Sequence, residues 1–365
     1  MKVAIIHYWL INMRGGEKVI EAILEIFPQA DIFTHVYNPK AMPESIKNHN
    51  IYTSYIQKIP FAKKLYQKLM PLMPRALGEI DLQKYDLIIS SESGPAKGVI
   101  PNPNAFHVCY CHSPMRYLWD MYHEYFHKSG LLTRFFMKRL IPGLRLWDVV
   151  SSNLVDLFIA NSSYVAKRIK RYYNREALIV HPPVDIDKFL SIKRNPKDFY
   201  LFFGQITGYK RADLAIEACI ASGRKLIVAG TGAKKAEIKL YKKSGFVDFL
   251  GRVTEDKIME LYSNARALVF PGIEDFGIIP VEAQAAGCPV IAYRDGGALD
   301  TIKENITGIF FDEQTPESLI AAMYYFEQNE ITFGNREMFT NHVTQFSKEM
   351  FKEKINKIIK EQKHI

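Results

Sequence analysis

The chain has 365 residues, 48% of them hydrophobic, with 48 Lys and Arg against 39 Asp and Glu, a formal net charge of +9. That length favours two domains over one, and the apolar share excludes a disordered or fibrous chain. Four cysteines are too few for a disulfide scaffold, no apolar run is long enough to span a bilayer, and the basic excess points to an anionic partner: nucleic acid, a membrane surface or a phosphorylated substrate.

The opening run MKVAIIH reads as a buried strand. Asn12 and Arg14 interrupt the apolar residues too soon for a secretory leader, so a cytoplasmic protein is expected. A helix is predicted over Glu17–Ile26. Further strands are predicted at DIFTHV (31–36), IYTSYI (51–56), YDLIIS (85–90), FHVCYC (106–111), LFIANS (157–162) and ALIVHP (177–182), with a helix at Ser163–Tyr172. Short apolar runs alternating with amphipathic segments predict parallel sheets with helices on both faces. On the strand HVCYCH, His107, Cys109 and Cys111 share one face. Zinc takes ligands from turns, at wider spacing and with a fourth partner, so a core strand is expected and no metal. His7 and His107 read as satisfied core histidines.

Two segments mix basic with apolar residues. YIQKIPFAKKLYQKLMPLMPR (55–75) has five cations and no acid, and FHKSGLLTRFFMKRLIPGLRLW (126–147) has the same character. Such mixing suits the face of an anionic bilayer. The competing reading is a pair of amphipathic helices with solvated lysines. Nucleic acid is not expected as a partner, because no recognised motif accompanies the charge.

HPPVDIDKF (181–189) reads as the join between two doubly wound units, 1–183 and 184–347, with a basic helix over 348–365 that lies back on the first. Strands of the second unit are predicted at 199–204, 225–230, 247–251, 266–271, 289–293 and 307–311. Helices are predicted at Ala212–Ala221, Glu255–Ser263 and Pro316–Phe326. Lys210 and Arg211 fall at a strand's carboxyl end beside a helix N-terminus, the conditions for holding a diphosphate. A surface pair with Asp213 is the plainer alternative. In GIEDFGIIPVEAQAAG (272–287), Glu274 and Glu282 stand eight positions apart. One helix would separate them by ~12 Å along its axis and ~80° around it. Gly277 and Pro280 instead predict a loop, then a helix running to about Ala286 and ended by Gly287. Between the two acids lie the free N–H groups of a helix start, a seat for phosphate. A ligand with a phosphate middle and hydroxyls at both ends, such as a sugar nucleotide, fits that layout.

With these motifs the chain resembles the two-lobed GT-B glycosyltransferases, close to the retaining family 4. The resemblance rests on Glu274-x7-Glu282, on Gly204 followed by Lys210, on Gly15-Gly16-Glu17 after the first strand, on His112 in CHSPMRYLWD, on NSSYVAKRI (161–169) and on PPVD (182–185). It covers nearly the whole chain. It implies an α/β fold of two Rossmann-like domains facing across a cleft, the second binding a nucleotide sugar. It further implies that Lys210, helped by Arg211 and the helix after Gly277, neutralises the departing diphosphate. Glu282 would take the ribose hydroxyls. Glu274, with the amides near Phe276, Gly277 and Ile278, would grip the donor sugar. Gly15 and Gly16 would let the backbone approach the diphosphate, and His112 would hold the reacting centre. The loop around Arg252 would border the base. Arg116, Tyr117 and Trp119, directly after His112, are candidate acceptor contacts or simple packing. The chain departs from the family at Gln205, where many members have Arg, which removes one cation from the diphosphate site.

The expected activity is therefore transfer of a hexose, mannose from GDP-mannose or else a UDP-sugar, to a lipid-linked saccharide or polysaccharide at the inner membrane face, with no cofactor or metal. Mannose rests on the resemblance of CHSPMRYLWD and YKRADLAIEA to bacterial mannosyl- and related hexosyltransferases of surface-polysaccharide assembly. A nucleotide-sugar epimerase on the same scaffold is a second reading, and an inactive binding protein a third. A nicotinamide dehydrogenase is not expected, since no G-x-G-x-x-G follows the first strand.

Overall fold

The short apolar runs form strands because their side chains are buried on both faces, as in β1 (Val3–His7), where all five residues are covered. The structure, a computed structural model, describes residues 1–330, 333 and 335–362; the last three residues of the expected closing helix, 363–365, lie outside the described residues. It divides into two units, 1–183 with 351–365, and 184–350.

In the first unit β1 is joined by β2 (Asp31–Thr34), β3 (Ile51–Thr53), β4 (Leu87–Glu92), β5 (Phe106–Cys111), β6 (Leu157–Ala160) and β7 (Ala177–Ile179). Their order is β3-β2-β1-β4-β5-β6-β7. Every pairing is parallel, with His7 of β1 opposite both Thr34 and Ser91. One face packs Val3 and Ile5 on Val19, Ile20 and Ile23 of the helix Gly15–Ile26. The helix Lys348–Gln362 completes that layer. It looks too polar for a core element, yet Phe351, Ile355 and Ile359 repeat every four residues, and that stripe alone is buried. The other face packs Ala4, Ile6 and Ile88 on Leu77, Leu82, Tyr85 and Val99.

The second unit holds β8 (Tyr200–Phe203), β9 (Leu226–Ala229), β10 (Val247–Gly251), β11 (Leu268–Phe270), β12 (Val290–Tyr293) and β13 (Gly308–Phe311), in the order β10-β9-β8-β11-β12-β13. The sheet is again parallel, with Leu268 opposite both Leu201 and Val290. Helices Ala212–Ala221 and Pro316–Gln328 cover one face and Glu255–Asn264 and Ile278–Ala285 the other. Strand order therefore reverses between β1 and β4 in one unit and between β8 and β11 in the other. Connections leave such a point in opposite directions and open a crevice at the strands' carboxyl ends.

The structure departs from the sequence reading at residues 51–56. That run is strand only to Thr53; the Ser54 side chain then accepts from the Ile56 N–H and starts the short turn Tyr55–Lys58. The basic segment 55–75 is not one amphipathic helix but a series of short turns and helices, with Pro60, Pro71 and Pro74 each at a break or in a first turn, where a missing N–H costs least. Leu131–Ser151, in contrast, is one helix that runs on through Pro142.

Candidate active site

In the second unit the crevice is built from three segments. After β8 the chain turns at Gly204 and winds through Gly208–Lys210 into the helix Ala212–Ala221. After β11 comes Gly272, which must lack a side chain: a Cβ there would lie 2.6 Å from Lys210 Cα and from the Tyr209 carbonyl oxygen. This contact lodges Lys210 at the point where strand order reverses. Its ammonium reaches Glu274 Oε1 at 2.8 Å, with the side chains 13% and 20% exposed. A Cβ on Gly204 would meet Lys210 Nζ at 3.4 Å and Ile279 Cδ1 at 3.3 Å, so the lysine and the first turn of Ile278–Ala285 converge on one spot.

The loop carrying Glu274 is shaped by β12's exit. The Gly297 N–H donates to the Glu274 carbonyl at 2.8 Å, and a Cβ on Gly297 would lie 2.3 Å from Phe276 Cα. Phe276 is buried against Phe346. Gly277 caps the helix in the left-handed region, Pro280 sits in its first turn, and buried Gln284 ties it down by donating to the Pro280 and Thr301 carbonyls. Glu282, one turn into the helix, is half-buried, and the Tyr262 hydroxyl donates to it at 3.4 Å. Burial and the Glu282 charge push the Tyr262 phenol well up, so it stays a donor. Arg211 caps the helix Ala212–Ala221 at its start, but its guanidinium is held by Asp213 at 3.0 Å, the surface-pair alternative. Gln205 and Arg252, at the ends of β8 and β10, are exposed.

In the first unit Gly15 and Gly16 open the helix after β1. The Arg14 N–H donates to Glu17 Oε2 at 2.9 Å, which fixes the helix start. Neither glycine needs a positive φ. A Cβ on Gly16 would stand 3.6 Å from His7 Cε1 and 3.7 Å from His112 Nε2, so what its absence provides is space beside two imidazoles. His112 follows β5. Its N–H donates to the Glu92 carbonyl at 2.6 Å, its own carbonyl accepts from Asn161, and its Nε2 lies 2.8 Å from Ser91 Oγ. Burial, with the neighbouring His7, pulls its pKa down to about 3, so the ring is neutral. His7 is more than core filler. Its Nδ1 meets the Ser91 carbonyl, and its buried Nε2, which makes no hydrogen bond, lies 3.7 Å from Glu17 Oε1. Sequence reasoning did not single out Ser91 and took His7 as a satisfied core histidine, whereas its Nε2 has no hydrogen-bond partner. The available signal was place: His7 closes β1 and Ser91 is the last residue but one of β4, the strands flanking the reversal.

Behind His112 lies a buried ion cluster. Lys97 Nζ contacts Glu92 at 2.9 Å and also Asp148, and Asp148 accepts from Trp119 Nε1 at 2.8 Å and the Tyr173 hydroxyl at 3.0 Å. Trp119, stacked on Tyr172 as well, spends its indole on packing. Arg116 lies against Met121, and Tyr117 meets Tyr125 edge-on. His107 is satisfied by Ser90 and the Leu154 carbonyl, and Cys109 and Cys111 are buried thiols. Among the described residues no cluster of His, Cys, Asp or Glu is placed to hold a metal ion.

Two parallel-sheet units of this topology, the second with a lysine and a helix start at its reversal point, are the architecture of a GT-B glycosyltransferase. A family model described as Glycosyltransferase Family 4 matches residues 13–188, and one described as Glycosyl transferases group 1 matches 184–346, so the chain belongs among these glycosyltransferases. The lipopolysaccharide outer core galactosyltransferase WaaB superposes with a TM-score of 0.68 at 17% identity, over 99% of this chain and 100% of that one. Anabaena HepE in complex with UDP also gives 0.68, at 14% identity and the same coverage. The D-inositol 3-phosphate glycosyltransferase of Geodermatophilus obscurus is 29% identical over 200 residues, 46% of this chain and 44% of that protein. The chain spans from a third to about half the length of the curated relatives it matches.

Proposed function

We propose that the protein is a retaining hexosyltransferase. It moves a hexose, mannose from GDP-mannose first and a UDP-hexose second, to a lipid-linked or polysaccharide acceptor. The observation that carries this reading is the Lys210 ammonium at the reversal point, paired with Glu274 and beside the first turn of Ile278–Ala285, the helix that carries Glu282. When the bond between the anomeric carbon and the phosphate oxygen breaks, its electron pair goes to that oxygen. A fixed ammonium and a helix's positive end stabilise this growing charge more than they stabilise the ground state. The acceptor hydroxyl bonds to the same face of the sugar and passes its proton to the leaving phosphate. Glu274 accepts from sugar hydroxyls, Glu282 from ribose, and neutral His112 holds the reacting centre. Lys210 and the helix end supply the positive charge, and no metal or cofactor is part of the proposal.

HepE's bound UDP supports keeping a UDP-sugar as the second donor. An anionic bilayer surface, on the cytoplasmic side, is the proposed location of the acceptor. The helix Leu131–Ser151 supports it, with Leu131 84% and Phe135 65% exposed among Arg134, Lys138 and Arg139. No helix among the described residues is long and apolar enough to cross a membrane.

The test is a thermal-shift panel of GDP-, UDP- and ADP-sugars on the protein and on Lys210→Ala and Glu282→Ala. A GDP-sugar is expected to raise the melting temperature, and both substitutions to abolish the rise. A rise with UDP-sugars alone moves the donor to the second choice. Indifference to all three overturns the reading.

A further inference from the structure

A second cavity in the first unit, of about 460 Å³, lies at the outer edge of its sheet, walled by β3 and by residues 76–85. Its lining has two characters. Tyr52 of edge strand β3 stacks on Phe33 of β2, with centroids 5.0 Å apart and planes at 22°, and is still 44% exposed. Tyr85 meets the same Phe33 edge-on and is fixed from behind, its hydroxyl donating to Asp31 at 2.5 Å. Lys84 Nζ stands 5.2 Å from the Tyr85 centroid and 6.0 Å from that of Tyr52. Around these rings come polar groups: Glu79, Asp81, Lys84 and the Thr53 hydroxyl.

We propose that this cavity is a second saccharide-binding site, distinct from the donor crevice, that takes a sugar unit of the acceptor away from the reacting end. A pyranose has an apolar face of C–H bonds and a rim of hydroxyls. A rigid, partly exposed aromatic ring packs against the first, while carboxylates and an ammonium exchange hydrogen bonds with the second. A fatty chain would desolvate the charged rim of Glu79, Asp81 and Lys84, which keep only partial internal partners in Arg75, the Gln83 N–H and Asp31, and a phosphorylated ligand would meet two acids against one lysine. Phe33 and Asp31 hold Tyr52 and Tyr85 in place without a ligand, so little side-chain ordering is needed on binding. The proposal rests on the transferase reading only in naming the sugar as part of the acceptor; binding itself does not depend on it.

The experiment is saturation-transfer NMR with titration of the full chain by mannobiose, maltose and lactose. At least one is expected to bind, with transfer concentrated on one ring face. Tyr52→Ala should weaken binding at least tenfold, Tyr52→Phe should retain it, and Lys84→Ala should weaken it severalfold. The exposure of Tyr52 makes loss of the fold avoidable, and near-UV dichroism checks it. Binding of none of the three, equal binding to Tyr52→Ala, or displacement of the saccharide by GDP or UDP overturns the site. Nucleotide-sugar binding by the unsubstituted protein, measured in parallel, separates the two claims. Sugar bound in the pocket with no donor bound sinks the transferase reading and leaves the site. Donor bound with saccharides indifferent to Tyr52→Ala does the reverse.

Discussion

At the scale of single residues, the Lys210–Glu274 pair decides what the donor crevice prefers. The lysine proposed for the diphosphate is already engaged by the acid proposed for the sugar. A bare nucleoside diphosphate must take Lys210 while leaving Glu274 beside new negative charge. A donor carrying a sugar offers Glu274 hydroxyls in exchange. Two unit charges 4 Å apart are worth about 1 kcal/mol in water and about 4 kcal/mol at an effective dielectric of 20, and this pair is neither exposed nor fully dry. Glu274→Gln is therefore expected to tighten binding of the free nucleoside diphosphate by about tenfold, or about 1.4 kcal/mol, while sugar transfer falls by about a hundredfold or more. Calorimetry with the diphosphate and single-turnover transfer measure the two effects. Weaker or unchanged diphosphate binding by the variant would show that the pair does not gate the lysine.

At the scale of elements, the helix Leu131–Ser151 is anchored at one end and open at the other. Asp148 sits in the Lys97 cluster, and Trp147 fills a notch that exists because residue 98 is glycine: a Cβ there would lie 2.1 Å from the indole. The first half carries Leu131, Leu132, Phe135 and Phe136 in solvent. Phe135→Asp combined with Phe136→Asp should lower binding to anionic vesicles at least tenfold in a flotation assay, with melting unchanged because neither ring is buried. Added salt should weaken the wild-type binding too. Undiminished binding by the double variant would remove this helix from the membrane proposal. Elements were the most legible part of the sequence. Each of the thirteen apolar runs supplied a strand, Ala212–Ala221 has the predicted bounds, and the closing helix begins at Lys348 as predicted. Of the candidate site, the part legible in the sequence was the charged part, Lys210, Glu274 and Glu282, of which the structure pairs the first two. It was illegible where geometry is set by close approach. Gly272 beneath Lys210 and Gly297 against Phe276 act through atoms far off in sequence, and Ser91 matters only because parallel pairing sets it opposite His7.

At the scale of the whole molecule, the two units should answer acid differently, and the tryptophans make the difference readable. All three, Trp9, Trp119 and Trp147, belong to the first unit, so their emission follows its unfolding alone. That unit also holds His35 and His107, each pulled down to about 4 chiefly by burial, and His112, pulled down to about 3. Each is neutral when folded and takes up a proton on unfolding between its folded value and its ordinary value of about 6.5. Where the unfolded state binds more protons, stability falls as pH falls. Glu92 works the other way. Burial and the Asp148 charge push it up to about 7 against the pull of Lys97, so it favours the folded state as pH drops from 7 towards 4.5. Three losses against one gain leave about two protons net, each worth roughly 1.4 kcal/mol per pH unit once titration is under way. From pH 7 to pH 5 this amounts to a loss on the order of 3 kcal/mol, or roughly 5–10 °C in the tryptophan-reported transition of a unit this size. In the second unit Glu304 and Glu327 are held down chiefly by hydrogen bonds from Arg294 and Arg224, so their contribution fades only below about pH 4.5. Calorimetry over the same range should therefore show the tryptophan-silent transition moving less. Replacing His107 by Gln, which keeps a polar partner for Ser90, should flatten the tryptophan slope by about one proton. A tryptophan transition that holds or rises between pH 7 and 5 would mean that these histidines are not kept neutral by the fold.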